Sequence, residues 1–146
     1  MRGMSLAAGA LFVLMNTSCG GGGPTERDIN NSLDDTLRSV AGDWIAVANV
    51  PNAIRLEFRL LEAANGQVSG TGTMKEGSAP SSVPITISGT FQRPLLTLVF
   101  DGIVYESHKV KGVAQGSYTT VGGIATTLTL TAPGYSREVA ILLQEK

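Results

Sequence analysis

The sequence predicts an all-β protein, a single antiparallel up-and-down barrel of about eight or nine strands with a short N-terminal helix. From residue 42 onward, apolar and polar side chains alternate as in strands with one buried face, most clearly over 54–60 (IRLEFRL). Turn-forming pairs such as Asn65-Gly66 recur at short intervals, and such short links join antiparallel neighbours. Closure into a barrel would remove exposed edge strands, and a β-sandwich is the alternative architecture.

The composition supports one folded domain and argues against one class of partner. The chain has 146 residues, of which 42% are hydrophobic and 16% charged. This balance provides a core, which must consist mainly of Val, Ile and Leu because aromatic residues make up only 5%. The formal net charge is −1 and no run of lysine or arginine is present, so we expect no nucleic-acid partner.

Local patterns predict each element in turn. Apolar residues at four-residue spacing between positions 29 and 37 predict a short helix near 32–40. Each following segment is bounded by Gly, Pro, Asn or Asp, which supply turn conformations. We interpret Asp101-Gly102, Lys111-Gly112 and Gly122-Gly123 as tight turns between consecutive strands. The predicted strands are 44–50, 54–60, 68–75, 83–91, 95–100, 103–110, 113–120, 124–131 and 136–144.

The N-terminus resembles the signal sequence of a bacterial lipoprotein. Arg2 precedes an apolar segment over 6–15, which has the length of a signal-peptide core and is short for a membrane span. Small residues then precede Cys19, the only cysteine, in the position of a lipobox cysteine. A lone cysteine cannot form an internal disulfide, so lipidation would explain both its solitude and its place. The alternative is an ordinary signal peptide that is cut elsewhere.

This resemblance implies an anchored protein with three parts. Residues 1–18 would be the signal peptide, and 19–41 the lipidated Cys19, a glycine-rich tether and the short helix. Residues 42–146 would form the barrel domain, attached to the membrane through fatty acyl chains such as palmitate. The resemblance implies a bacterial cell-envelope location, and Gly20 after the cysteine resembles the signal for the outer membrane, facing the periplasm or the cell surface.

A second resemblance concerns the barrel itself. Gly42-Asp43-Trp44, preceded by a short helical segment and opening the first strand of a meander, resembles the G-x-W signature of lipocalins and related calycins. In that family the tryptophan closes one end of the barrel, and an arginine near the last strand packs across its ring. Gly42, Trp44 and Arg137 would take these structural places here, and a cation over an indole contributes about 0.5–2 kcal/mol.

Residues suited to catalysis or metal binding are few. With one histidine, His108, and one cysteine expected to be acylated, the chain has no set of His and Cys ligands for zinc or iron. No nucleophile-elbow motif is present. We therefore expect no cofactor, no metal and no enzymatic activity.

The candidate ligand-binding residues lie around the histidine. With period two, Glu106 and His108 share a strand face. If that face points inward, the pair could hold a polar ligand inside the barrel. If it points outward, the pair is a surface contact contributing under about 1 kcal/mol. Tyr105 and Tyr118 are further candidates, as residues of either the barrel mouth or the core.

These observations lead to two function hypotheses. The first is a non-enzymatic binding module for a small apolar or amphipathic ligand, since an eight-stranded barrel is just wide enough for one. Glycines at 70, 72 and 89 would leave room for such a guest if they face inward. The second is a filled barrel that binds another envelope protein, as a structural protein or an inhibitor. Small bacterial barrels that inhibit secreted proteases have a comparable layout, and residues 25–41 could then reach the partner.

Overall fold

The computed structural model describes residues 38–48, 53–118 and 123–146, which form eight antiparallel strands. Each strand pairs with its sequence neighbours, and the last strand pairs with the first, so the sheet is a closed up-and-down barrel. The predicted all-β barrel is confirmed, and closure excludes the β-sandwich. The strands are β1 (Gly42–Val47), β2 (Ile54–Glu62), β3 (Gln67–Glu76), β4 (Val83–Gln92), β5 (Leu95–Tyr105), β6 (His108–Ser117), β7 (Gly123–Ala132) and β8 (Tyr135–Glu145).

The predicted N-terminal helix lies largely outside the described residues. Residues 38–41 are described and contain no helix, and no helix occurs elsewhere in the described ranges. The signal peptide, Cys19 and the glycine-rich tether also fall outside these ranges. The barrel is compatible with the lipocalin-like architecture that the sequence resembles.

Strand alternation places the core inside the barrel. In β2 the inward residues Ile54, Leu56, Phe58 and Leu60 are buried, and Arg55 and Arg59 between them face solvent. The same period-two pattern runs through the other strands, so the inward side chains form one continuous apolar cluster inside the barrel. Among the described residues no polar or charged residue is fully buried.

The strand count differs from the prediction over residues 95–117. Asp101-Gly102 does not form a hairpin, because the chain continues through a β-bulge between Phe100 and Ile103 within β5. Gly102 therefore adopts its left-handed conformation (φ 91°) within a bulge. Local sequence does not distinguish a glycine that forms a bulge from one that forms a turn. Lys111-Gly112 likewise lies inside β6. The three predicted segments thus form two strands, because the middle segment, 103–110, is divided at Glu106-Ser107.

The turn between β5 and β6 uses a pair with little sequence signature. Tyr105 pairs with His108, which leaves Glu106 and Ser107 as a two-residue loop with φ values of 48° and 66°. Asn-Gly or Asp-Gly is the usual choice for such a turn, so the Glu-Ser pair was not foreseeable from local preferences. The predicted turn at Asn65-Gly66 is confirmed, and Pro133-Gly134 forms the turn between the predicted segments 124–131 and 136–144. The turn predicted at Gly122-Gly123 falls largely outside the described residues, and Gly123 begins β7.

The barrel has two ends, which we name by what lies there. The strap end is where residues 38–41, the strap, lead into β1, and where β2, β4, β6 and β8 finish. The hairpin end carries the Glu106-Ser107 turn and the turn at 133–134 that joins β7 to β8.

We predict that Gly102→Ala lowers the free energy of unfolding by about 1–2 kcal/mol, because alanine is strained at positive φ. A Cβ there would also lie 3.0 Å from the Pro84 carbonyl oxygen. Urea denaturation of both proteins measures the difference. Asp101→Ala is the control, since it removes only an exposed ion pair with Lys111 and should cost at most about 1 kcal/mol. Equal losses in the two variants would contradict the assignment of a specific backbone role to Gly102.

Candidate functional site

The strap closes one end of the barrel. Val40 is 0% exposed, and its carbonyl oxygen accepts a 2.9 Å hydrogen bond from the indole Nε1 of Trp44, which is itself buried. The barrel therefore buries a strap residue and satisfies the tryptophan donor with the same contact. Gly42 and Trp44 lie at this end of the barrel, at the start of β1.

Glu62, at the end of β2, holds the strap through its carboxylate. It accepts hydrogen bonds from Ser39 Oγ at 2.8 Å, from the Val40 backbone N–H at 3.0 Å and from Arg93 Nη2 at 2.6 Å. The Glu62 side chain is only 8% exposed. Burial acts to raise its pKa, but the donors from Ser39, Val40 and Arg93 outweigh burial and hold the pKa below its usual value.

Arg38 fixes the outer part of the strap. Its Nη2 lies 3.0 Å from a carboxylate oxygen of Glu145, and its guanidinium lies 4.7 Å from the ring centroid of Tyr118. Arg93 Nε donates to the Arg38 carbonyl oxygen at 3.2 Å. The Tyr118 hydroxyl donates to Glu145 at 2.5 Å. Burial, with the carboxylate of Glu145 beside the phenol, raises the pKa of Tyr118 to about 12, so this tyrosine remains a neutral donor.

The structure corrects the expected place of Arg137. Trp44 pairs with Glu145 near the end of β8, whereas Arg137 pairs with Leu130 eight residues earlier on that strand. At about 3.4 Å per residue the two positions lie on the order of 27 Å apart, at opposite ends of the barrel. The expected Arg137–Trp44 packing is therefore wrong. The arginines over rings at the strap end are Arg38 on Tyr118 and Arg93 on Phe91, the latter also at 4.7 Å.

Three of the four candidate ligand residues lie at the hairpin end. Tyr105 is buried at the end of β5, Glu106 is in the turn and His108 begins β6 with an exposed side chain. The expectation that Glu106 and His108 share one strand face is wrong, because the turn falls between them. His108 Nδ1 instead lies 2.8 Å from the Glu106 backbone oxygen. The fourth candidate, Tyr118, is buried at the strap end.

Glu106 organises the hairpin end through partners that the sequence did not indicate. Its carboxylate accepts a 2.8 Å hydrogen bond from the Tyr135 hydroxyl and lies 3.6 Å from Arg137 Nη2. Its backbone N–H donates to the carboxylate of Glu76. The His108 ring stacks on Tyr135 at a centroid distance of 4.4 Å. Every polar group of Glu106 named here thus has a partner in the chain, and the arrangement is typical of a turn held by side chains.

Aromatic side chains meet across the barrel lumen. Phe58 on β2 and Phe100 on β5 meet edge to face at a centroid distance of 5.5 Å. At the strap end Tyr118 lies 5.4 Å from Trp44 and 6.1 Å from Phe91. Rings from strands well separated in the barrel therefore touch in its middle and at one end, as in a lumen filled by side chains.

The glycines at 70, 72 and 89, which the sequence suggested as room for a guest, let neighbouring strands approach closely. Gly70, Gly72 and Gly89 do face inward, since they pair with Leu60, Phe58 and Leu98. A Cβ at any of the three would lie under 3.0 Å from a backbone oxygen of the neighbouring strand. These glycines therefore allow close strand approach and sharp bending.

The outer wall carries two shallow grooves of about 320 and 300 Å³, which share Arg59 and Thr71. Arg59 is 70% exposed and its ion pair with Asp43 is long, at 3.9 Å. In the larger groove the exposed carboxylate of Glu57 is paired with Lys146 Nζ at 2.5 Å and with Arg55 Nε at 2.9 Å, so its charge is met by its own neighbours. The strap end is therefore the best-built arrangement of polar groups in the described part of the chain.

We predict that Glu62→Gln lowers the free energy of unfolding by about 2 kcal/mol at neutral pH, because a mostly buried carboxylate loses charge-assisted hydrogen bonds. The pKa of Glu62 is lower in the folded state, so its stabilisation is fully present above the unfolded-state pKa of about 4.3. It is lost as pH falls through the lower folded-state pKa. Denaturation at several pH values should therefore show the two proteins converging below about pH 4. The exposed Glu138→Gln is the control, and a gap that persists to low pH would contradict the role of the Glu62 charge.

Comparisons with known proteins add no relative. No protein-family model matches the chain, and no curated protein and no solved structure matches it significantly. The described residues include no helix long and apolar enough to cross a membrane, and no three of their His, Cys, Asp or Glu side chains group to hold a metal ion. The geometry of the barrel and its two ends is therefore the basis for a functional assignment.

Proposed function

We propose that this chain is a non-enzymatic protein-interaction module, a filled β-barrel anchored in the bacterial cell envelope through a lipid on Cys19. The observation that carries the proposal is the aromatic contact across the lumen, where Phe58 meets Phe100. A barrel filled by its own side chains has only its wall and its ends to present to other molecules. Binding through those surfaces is binding to a macromolecule or to a membrane.

Packing at the glycines of β6 supports a filled lumen. A Cβ at Gly112 would lie 2.8 Å from Ile103 Cδ1 and 3.0 Å from Leu128 Cδ1, so these side chains occupy the space that a larger residue would need. Side chains of the two flanking strands therefore close over this glycine, which supports tight packing on this side of the lumen. The buried cluster also contains no polar or charged residue within the described ranges to orient a guest.

A small apolar ligand is the second candidate function. It is favoured by the purely apolar character of the buried residues, which would suit an apolar guest. It would require the aromatic rings to move apart, since Trp44, Tyr118 and Phe91 are packed together at the strap end. The packed arrangement therefore supports protein interaction over ligand storage.

The proposed anchor follows from the sequence of the first 41 residues. A lipobox-like segment precedes Cys19, and a run of four glycines and a proline follows it. The chain enters the barrel at the strap end, so in an anchored molecule the tether would attach to this end. The hairpin end would then lie on the far side.

We expect Cys19→Ser to move the protein from the membrane fraction to the soluble fraction of the cell envelope, because the acyl chains would be absent. Fractionation followed by immunoblotting measures the distribution, and Ser18→Ala is the control because it leaves the thiol in place. A Cys19→Ser protein that stays with the membrane would contradict lipid anchoring.

For the filled lumen we expect equal masses of the full-length Cys19→Ser protein under native and denaturing conditions. The variant cannot carry the acyl chains, so any excess native mass reports a non-covalent guest. Native mass spectrometry makes the comparison. A reproducible excess that disappears on unfolding would favour the small-ligand function instead.

The protein-interaction function itself is tested by cross-linking intact cells that make the full chain, followed by immunoprecipitation. A discrete adduct of constant mass supports a specific partner. Recovery of the chain alone, at cross-linker levels that capture a known envelope complex, would argue against the proposed function.

A further inference from the structure

At the strap end, side chains of the barrel bind backbone atoms of the strap. The Arg38 carbonyl oxygen accepts from Arg93, the Val40 N–H donates to Glu62, and the Val40 carbonyl oxygen accepts from Trp44. The three barrel side chains in these contacts, which we call the receiving groups, lie in the β4–β5 turn, on β2 and on β1. The closed barrel therefore brings them together. Because they bind backbone atoms, they fit any extended segment with the same path.

The strap end also distinguishes two side chains of the strap. Val40 is completely buried, in the same apolar cluster as Trp44 and Tyr118. Arg38 reaches a carboxylate of Glu145 and lies over the Tyr118 ring, a combination that favours arginine over lysine. The site thus binds a cationic side chain and, two positions later in the chain, a small aliphatic side chain.

We propose that the strap end is a peptide-binding site that residues 38–40 keep occupied in cis, and that an extended segment of a partner protein takes their place. The segment would carry arginine and, two residues later, valine or a similar side chain. Only the origin of the segment rests on the proposed protein-interaction function, since the site can be tested with a synthetic peptide.

The short connection to β1 favours another protein over a second copy as the source. Val40, the last strap residue in the site, is separated from Gly42 at the start of β1 by Ala41 alone. This step spans at most about 7 Å. A strap donated by a second copy would therefore bring two strap ends almost into contact. A segment of a different protein has no such restriction.

Competition with the strap sets the expected affinity. A ligand that binds only when the strap is displaced has its affinity reduced by the small fraction of molecules in which the strap is displaced. The intact chain, with its strap closed, should therefore bind a free peptide at least about tenfold more weakly than a chain with a defective strap. The strap is in this sense an autoinhibitory element.

The test uses the full chain carrying Arg38→Gly and Val40→Gly, which removes both recognised side chains and leaves the receiving groups intact. The probe is the blocked peptide Leu-Arg-Ser-Val-Ala-Gly, the sequence of residues 37–42. We expect saturable binding by calorimetry, with a change in Trp44 fluorescence, because the peptide restores a carbonyl acceptor at its indole. Peptide should also raise the melting temperature of the variant, and would drive its refolding if the variant alone is unfolded.

Four controls test specificity. A peptide with aspartate in place of its valine, and one with glutamate in place of its arginine, should bind at least about tenfold more weakly, the equivalent of 1.4 kcal/mol or more. Adding Glu62→Gln to the defective-strap chain should weaken binding to a similar degree. Adding Glu138→Gln, on the outer face of β8, should leave the affinity unchanged.

Two results would overturn the proposal. The peptide-binding site is disproved if millimolar peptide neither binds nor stabilises the defective-strap chain or the milder Arg38→Ala variant. The partner-protein source is disproved if the intact chain forms a concentration-dependent dimer that the strap substitutions abolish. Cross-linking in cells remains a separate readout. If the peptide titration fails but cross-linking yields a discrete adduct, this site is rejected and the protein-interaction function is not.

Discussion

Closure of the barrel depends on the pairing of β1 with β8. These strands pair over only four residues each, from Trp44↔Glu145 to Val47↔Leu142, whereas β7 and β8 pair over ten. The Arg38–Glu145 ion pair of the strap reinforces this short seam, and a hydrogen bond from the Lys146 backbone N–H to the Asp43 carbonyl extends it. Without closure β1 and β8 would both be edge strands, open to pairing with other chains.

The barrel interior uses its few aromatic residues where distant strands must meet. Phe58 and Phe100 join β2 to β5, and Tyr118 joins β6 to Trp44 on β1. Aromatic rings bury about 150–250 Å² each and so supply large contact area at these points. The described interior is an apolar cluster, and the two polar networks described above lie at the barrel's ends.

The two ends carry different kinds of polar network. At the hairpin end Glu106 joins elements of the sheet itself, through Tyr135 on β8 and Glu76 on β3. At the strap end the barrel side chains bind a segment that lies outside the sheet, and Glu62 alone accepts three hydrogen bonds from strap and turn. The partners of Glu106 are thus fixed by strand pairing, whereas the strap is not paired as a strand.

Local patterns in the sequence determined the all-β class, the meander and the inward faces of the strands, since alternation and turn chemistry act over a few residues. Those patterns failed at Asp101-Gly102, because glycine at positive φ suits a bulge as well as a turn and only pairing with β6 decides between them. Tertiary structure alone decided that Arg38 and not Arg137 lies at the tryptophan end. It also decided the role of Glu62, whose three donors come from positions 39, 40 and 93. Such contacts join residues far apart in the chain, and local sequence carries no record of them.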